Sequence, residues 1–180
     1  MVAMRRVIVT LTRTAMRRPL RIAVDTNILI DAWSKESPRH QQAADLLDSL
    51  EFGTSEWAIP DSCLYEYYQS VTSSKKFKNP ATPKEALEQI EFWLALPHVA
   101  ILCEFADEEE DHWARLADIL DYAQIKGLDV FDAHIAAVCL THGVGELWTR
   151  DTDYSQFKGL RAKDPLTGIV HGSGTPTSPG

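Results

Sequence analysis

The chain has no long apolar run, no closely spaced cysteine pair and, over most of its length, far fewer basic residues than acids. None of its apolar stretches approaches the ~18 residues that cross a bilayer, and the segment from Val7 to Leu11 is stopped by Arg13, so we expect neither a transmembrane helix nor a secretory signal. Cys63, Cys103 and Cys139 are odd in number, far apart and set among apolar neighbours. That usage suits reduced core thiols in a cytoplasmic protein better than a disulfide framework, and without a CxxC pair the usual sequence sign of zinc is missing. No segment recurs at a fixed period, which excludes a solenoid.

With 180 residues, 44% of them hydrophobic, the chain is long enough for one well-cored domain and too short to make two an economical reading. Its formal charge of -8 conceals an asymmetry, because Arg5, Arg6, Arg13, Arg17, Arg18 and Arg21 fall in an opening stretch without a single acid. From residue 22 onward, 12 basic groups face 26 acidic ones. A body of that sign is a poor generic binder of phosphate backbones, whose affinity comes from Lys and Arg neutralising phosphates. Any role on nucleic acid therefore requires metal ions or local basic patches.

Residues 1–20 read as a basic arm that is disordered, a transit-like leader or a product of an upstream start, with Met16 as an alternative first residue. Residues 21–167 form the expected domain, and the Gly, Ser, Thr and Pro composition of 168–180 predicts a disordered tail. Within the domain, short apolar runs at 21–25, 57–60, 99–103, 146–149 and 160–163 predict strands, and helical patterns lie between them. Ser37 and Pro38 read as the N-cap and first residue of a helix, Asp61 as a cap for the next, and Thr82-Pro83-Lys84-Glu85 as a capping box. Acids at 107–111 load the expected first turn of a helix reaching about Ile125, and a last helix spans 129–142 with Asp129 as its N-cap. Strands alternating with helices predict an α/β fold on a parallel sheet, whose sites form at the carboxyl ends of strands.

Four acidic stretches stand out: Val24-Asp25-Thr26-Asn27, Tyr65-Glu66-Tyr67, Phe131-Asp132-Ala133-His134 and Thr149-Arg150-Asp151-Thr152-Asp153. Each places a carboxylate where an apolar run meets a helix start or on an apolar helix face, a costly position unless the acid is paired, hydrogen-bonded or metal-bound. Singly, Asp25 reads equally as a helix cap, Glu66 as a solvated helix residue and Asp132 as half of an ion pair. Together they suggest a hard cation, because Mg2+ and Mn2+ take oxygen ligands and need only a few carboxylates.

In order and local context the four stretches resemble the PIN-domain nucleases, and among them the VapC-type ribonuclease toxins. Val24-Asp25-Thr26-Asn27-Ile28-Leu29-Ile30-Asp31-Ala32 is similar to the first motif of that family, and Pro60-Asp61-Ser62-Cys63-Leu64-Tyr65-Glu66 to the second. The stretch from Gly127 through Asp132 to Ala137 is similar to the third, and that from Leu147 through Asp151 to Phe157, followed by Gly159-Leu160-Arg161, to the fourth. The resemblance covers about residues 21–166 and implies a three-layer α/β/α domain around a mostly parallel sheet. It implies catalytic and metal-binding roles for Asp25, Glu66, Asp132 and Asp151, with Asp153 as a further or alternative metal ligand. Thr26, Asn27 and Thr149 would orient those ligands or a water. The expected cofactor is Mg2+ or Mn2+, the expected partners are an RNA substrate, a cognate VapB-like antitoxin and a second copy of the chain, and no membrane is involved.

Several signals are set aside. Asp151-Thr152-Asp153-Tyr154-Ser155 starts like a calcium loop, but Gln156 and Ala162 stand where that loop needs Gly and Glu. His134, two residues from Asp132, points to another helix face and reads as a core or supporting histidine rather than a ligand. Asp129 shares the side of Asp132, so a place beside the acids competes with its capping role. Lys75, Lys76, Lys78 and Arg150, with Arg39, Lys84 and Arg115, are the candidates to meet RNA phosphates. Tyr65, Tyr67 and Tyr68 either stack on unpaired bases or fill the core. The function these residues suggest is metal-dependent endoribonuclease activity in a toxin–antitoxin pair. The rivals are a housekeeping RNA-processing nuclease without antitoxin and a catalytically silent PIN-like binding module.

Overall fold

The structure, a computed structural model, describes residues 22–104 and 112–172. Six strands form one sheet: β1 (Ile22–Val24), β2 (Trp57–Pro60), β3 (Val99–Leu102), β4 (Glu146–Trp148), β5 (Ala162–Lys163) and β6 (Val170–His171). Their order is β3-β2-β1-β4-β5-β6, parallel throughout except for the antiparallel pair β5 and β6. Around it lie α1 (Thr26–Trp33), α2 (His40–Glu51), α3 (Asp61–Val71), α4 (Pro83–Ala95), α5 (His112–Tyr122) and α6 (Val130–Thr141), with 3-10 turns at Gly127–Asp129 and Thr152–Gln156.

Topology dictates the layering. From β1 the chain steps outward to β2 through α1 and α2 and to β3 through α3 and α4, then crosses back to β4, on the other side of β1, through α5 and α6. Crossovers between parallel strands are right-handed, so reversing the direction of travel moves the connecting helices to the opposite face. The packing agrees: α1 lies on α2 and α3, α3 on α4, and α5 on α6. The expected three-layer α/β/α fold is thus the observed one, and its strand order reverses between β1 and β4, the position where open α/β sheets open a crevice at their carboxyl ends.

Burial on both faces explains the composition of the strands. Trp57, Ala58 and Ile59 are fully buried in β2, as are Ala23 and Val24 in β1 and Leu147 in β4. α6 is apolar nearly all round, with Ala133 and Ile135 through Cys139 buried, because it is sandwiched between the sheet and α5. On the other face Trp93 packs edge-on against Tyr67 at 5.0 Å and donates its indole N–H to the buried Glu51 carboxylate at 2.6 Å.

Several expectations shift. The helix expected from Ser37 and Pro38 starts at His40, because the Ser37 hydroxyl is spent elsewhere, donating to Asp31 at 2.8 Å while accepting from the Arg39 N–H at 3.2 Å. Asp61 is the first residue of α3 rather than its cap. Asp129 stands at the N-cap of α6 but its side chain makes no capping bond. Within the expected tail, the Asp164 carbonyl accepts from the Gly168 N–H, the Asp164 N–H donates to the Ile169 carbonyl, and Val170 and His171 form β6, which pairs with β5. The basic arm, the acid run at 107–111 and the tail from 173 lie outside the described residues.

The capping box at α4 is present as expected, with the Thr82 hydroxyl accepting from the Glu85 N–H and the Glu85 carboxylate accepting from the Thr82 N–H. Replacing Thr82 by Ala should cost about 1 kcal/mol and lower Tm by roughly 2–4 °C, measurable by thermal unfolding.

Candidate active site

Asp25 follows β1 and caps α1, which places its carboxylate at the switch point between β1 and β4. It is 4% exposed and accepts from four donors. Its Oδ1 accepts from the Thr26 N–H at 2.7 Å, with the Cys63 thiol at 3.7 Å. Its Oδ2 accepts from the Asn27 amide and from the Thr149 hydroxyl, both at 2.6 Å. Thr149, fully buried just beyond β4, in turn accepts from the Asn27 amide at 2.8 Å and from the Asp151 N–H at 3.0 Å. The Asn27 carbonyl accepts from the Arg150 N–H at 3.1 Å, which ties the end of β4 to the first turn of α1. Thr26, Asn27 and Thr149 thus all hydrogen-bond the Asp25 carboxylate.

The other acids arrive from three further elements. Glu66, on α3, accepts from the Thr26 hydroxyl at 2.8 Å. Asp151 caps the 3-10 turn after β4 by accepting from the Asp153 N–H at 2.8 Å, which brings Asp153 alongside it. Asp132 lies in the first turn of α6. Their convergence shows in the electrostatics. Burial pushes the Asp25 carboxyl up to about 7; the Thr149 hydroxyl opposes the rise, and Glu66 and Asp132 add to it. Burial likewise pushes Asp132 up to about 6, reinforced by Asp151, Glu66, Asp129 and Asp153. Asp129, without a capping bond, thus stands as one more charge facing Asp132. Among the described residues no lysine or arginine forms an ion pair with Asp25, Glu66, Asp132, Asp151 or Asp153.

The basic candidates are placed differently. Arg150 sets its guanidinium Nε 2.6 Å from Oδ2 of Asp31, a carboxylate buried in α1, and Nη2 3.4 Å from Oδ1. Arg39 pairs with the buried Asp164 at 3.3 Å, and Lys84 with Glu88 at 3.5 Å. Lys75, Lys76 and Lys78 lie on the loop whose Phe77 packs against Trp33, the last residue of α1. That places their loop at the C-terminal end of α1, the end opposite its capping Asp25. All three are exposed, and Lys76 donates to Ser70. Of the three tyrosines, Tyr67 is core and Tyr65 is 72% exposed beside Glu66. Phe131, 64% exposed beside Asp132, is its counterpart on α6. Sequence reasoning missed Asp31 as a buried ion-pair anchor and Cys63 as a contact of Asp25; Asp31 at least carried a signal, an acid on the apolar face of α1.

A three-layer α/β/α domain with a pocket of carboxylates at its topological switch point is the class that fold and site define. The chain belongs to the PIN domain family, whose sequence model matches residues 22–160. Ribonuclease VapC48 of Mycobacterium tuberculosis is 28% identical over 144 residues, covering 80% of this chain and 97% of that relative. VapC ribonuclease Mb2897 of Mycobacterium bovis is 29% identical over 150 residues, covering 83% and 99%. Among solved structures, Mycobacterium tuberculosis VapC20, a Sarcin-Ricin loop cleaving toxin, aligns with a TM-score of 0.51 at 15% identity, over 74% of this chain and 92% of that one, a likeness of fold.

The raised acids set a pH dependence. A carboxyl whose folded pKa exceeds its unfolded value stabilises the fold below the unfolded value, near 3.8, and loses that contribution as pH rises through the folded one. With chelator present, the urea midpoint should therefore fall as pH rises from about 4 to about 7. Asp132→Asn should flatten that slope and add about 1 kcal/mol at neutral pH, a figure discounted for the half-exposed position; an unchanged slope would remove Asp132 from the cluster. Arg150→Ala should cost about 2–3 kcal/mol by stranding Asp31, whereas a residue that serves only to contact RNA would leave Tm unchanged.

Proposed function

We propose that this chain is a divalent-metal-dependent endoribonuclease of the VapC type, the toxin of a toxin–antitoxin pair. The observation that carries this is the gathering of Asp25, Glu66, Asp132, Asp151 and Asp153 without an ion-paired cation among the described residues. Such a cluster is stable at neutral pH when a cation supplies the missing charge, and its all-oxygen donor set fits Mg2+ or Mn2+. The relatives named as VapC ribonucleases align over nearly their whole length, which supports the same chemistry here.

In this reading Asp25, Glu66, Asp132 and Asp151, with Asp153 beside them, would hold the ion. A bound Mg2+ or Mn2+ would supply Lewis acidity toward the scissile phosphate and lower the pKa of the attacking water. The protein's part is positioning. Four donors aim the Asp25 carboxylate, two of them opposing the rise that burial imposes on its pKa, and Thr149 couples it to the backbone of Asp151, so the acids after β1 and β4 keep a fixed separation. Glu66 is oriented by Thr26. Tyr65 and Phe131, exposed next to two of the acids, offer faces on which unpaired bases stack, which favours single-stranded or looped RNA. Lys75 and Lys78 remain exposed cations for a longer RNA. A VapB-like antitoxin would restrain the toxin, the active form would be a homodimer, and the location would be the cytoplasm. Among the described residues no helix is long and apolar enough to cross a membrane.

The deciding experiment incubates a mixed, structured RNA with the full chain in Mg2+, Mn2+ or chelator, beside Asp25→Asn. Cleavage should need the metal and fall about 100-fold or more in the variant, since the introduced amide turns an N–H toward donors where the wild type has an acceptor. A folded wild type that cuts no RNA in either metal would defeat the proposal and favour a binding module.

A further inference from the structure

On the far side of α6 from Asp132, three side chains from separate elements meet. The Nε2 of His112, the first residue of α5, lies 3.2 Å from the Nδ1 of His134 in α6, with the two rings edge-to-face and their centroids 5.0 Å apart. Glu104, just beyond β3, completes the group: one donor atom from each of the three lies within 4.8 Å of the others. The site is sheltered, with His112 5% exposed and Glu104 and His134 half-buried.

We infer that Glu104, His112 and His134 form a second cation site, distinct from the acid pocket and selective for a transition-metal ion of the zinc type. The first reason is the donor set. Two imidazole nitrogens and one carboxylate suit Zn2+ and its neighbours in the first transition row, whereas the all-oxygen pocket around Asp25 suits Mg2+ or Mn2+. The second is distance. Two nitrogens bound at about 2.0–2.1 Å to a tetrahedral zinc stand roughly 3.3 Å apart, close to the 3.2 Å of the hydrogen bond that now joins the imidazoles, so an ion would replace that bond, with the rings turning their lone pairs to it and their nitrogens keeping their separation. The third is separation. Helical geometry turns a side chain by about 100° per residue, so His134 and Asp132 leave α6 in nearly opposite directions and the two sites share no ligand.

The site also has a structural consequence. Glu104 follows β3 and His112 opens α5, so an ion held by both, and by His134, would tie those two elements to the helix that carries Asp132. Zinc would then act as a brace for α6. The expectation that His134 serves as a core or supporting residue rather than a ligand gives way to a ligand role of a kind the acid motifs did not suggest.

The test uses the full chain freed of metal by chelator and titrated with Co2+, whose visible absorption is intense in a tetrahedral site and weak in an octahedral oxygen site. Wild type and Asp25→Asn should both develop the intense band, and added Zn2+ should abolish it. Glu104→Gln and His134→Gln should weaken Co2+ binding roughly tenfold or more, with fold checked by circular dichroism in chelator. Zn2+ at about 100 times its Kd should raise Tm by roughly 5–10 °C in wild type and by little in Glu104→Gln. If His134→Gln does not fold, Glu104→Gln decides alone, because its side chain is only half-buried. An absent band, a band unchanged in Glu104→Gln, or one lost in Asp25→Asn would each overturn the inference, the last by assigning the ion to the acid pocket.

Discussion

The short hydrogen bond from the Thr149 hydroxyl to the Asp25 carboxylate joins the two halves of the sheet at the place where their strand order reverses. β1 and β4 are only three residues long, and three parallel pairs alone do not fix what the chain does beyond them. Thr149 and Asn27 supply the constraint. Between them they engage the Asp25 side chain and the backbone N–H groups of Arg150 and Asp151, so the strand ends, the start of α1 and the turn that follows β4 move as one unit. A buried polar network of this kind is worth having only when every member is satisfied, and here each oxygen of Asp25 has its donors.

A second constraint opposes the first. The network draws acids together, and desolvation together with mutual repulsion charges the fold for keeping them ionised. The chain does not relieve this with arginine: Arg150, adjacent in sequence to Asp151, turns away to pair with Asp31 beneath α1. The outcome is a cluster of acids whose negative potential is held by geometry and met by no ion-paired cation among the described residues. An internal salt bridge would have lowered those carboxyls; without one, Asp25 and Asp132 stay raised.

Much of this was legible in the residues, for a physical reason. An acid at the end of an apolar run has few uses, so Asp25 and Asp151 announced the carboxyl edge of the sheet, and the alternation of strands and helices announced the layering around it. The capping box of α4 was equally plain, because all its interactions lie within four residues. What escaped depends on partners distant in the chain. Ser37 looked like a cap until its hydroxyl met Asp31, and the ion pair of Arg150 with the same carboxylate, 119 residues away in the chain, left no local trace. β6 escaped because two residues carry no periodicity, and their pairing rests on a turn closed by the backbone of Asp164. Asp129 satisfied the local rule for a cap and yet serves the local field of Asp132, a choice that only the neighbouring acids decide.

The cysteines give the molecule a built-in gauge of its own breathing. Cys63 and Cys139 are both fully buried, and burial raises each thiol far above its ordinary range, with the charge on Asp25 adding to the effect. Since the thiolate is the reactive form, neither sulfur can be oxidised or alkylated at an appreciable rate from the closed structure. Cys63 touches Asp25 directly, so its reaction requires α3 to part from the strand end that carries the acid. The rate at which a thiol reagent finds Cys63 is therefore a chemical clock for opening of the catalytic crevice, read at a single sulfur atom beneath the pocket floor.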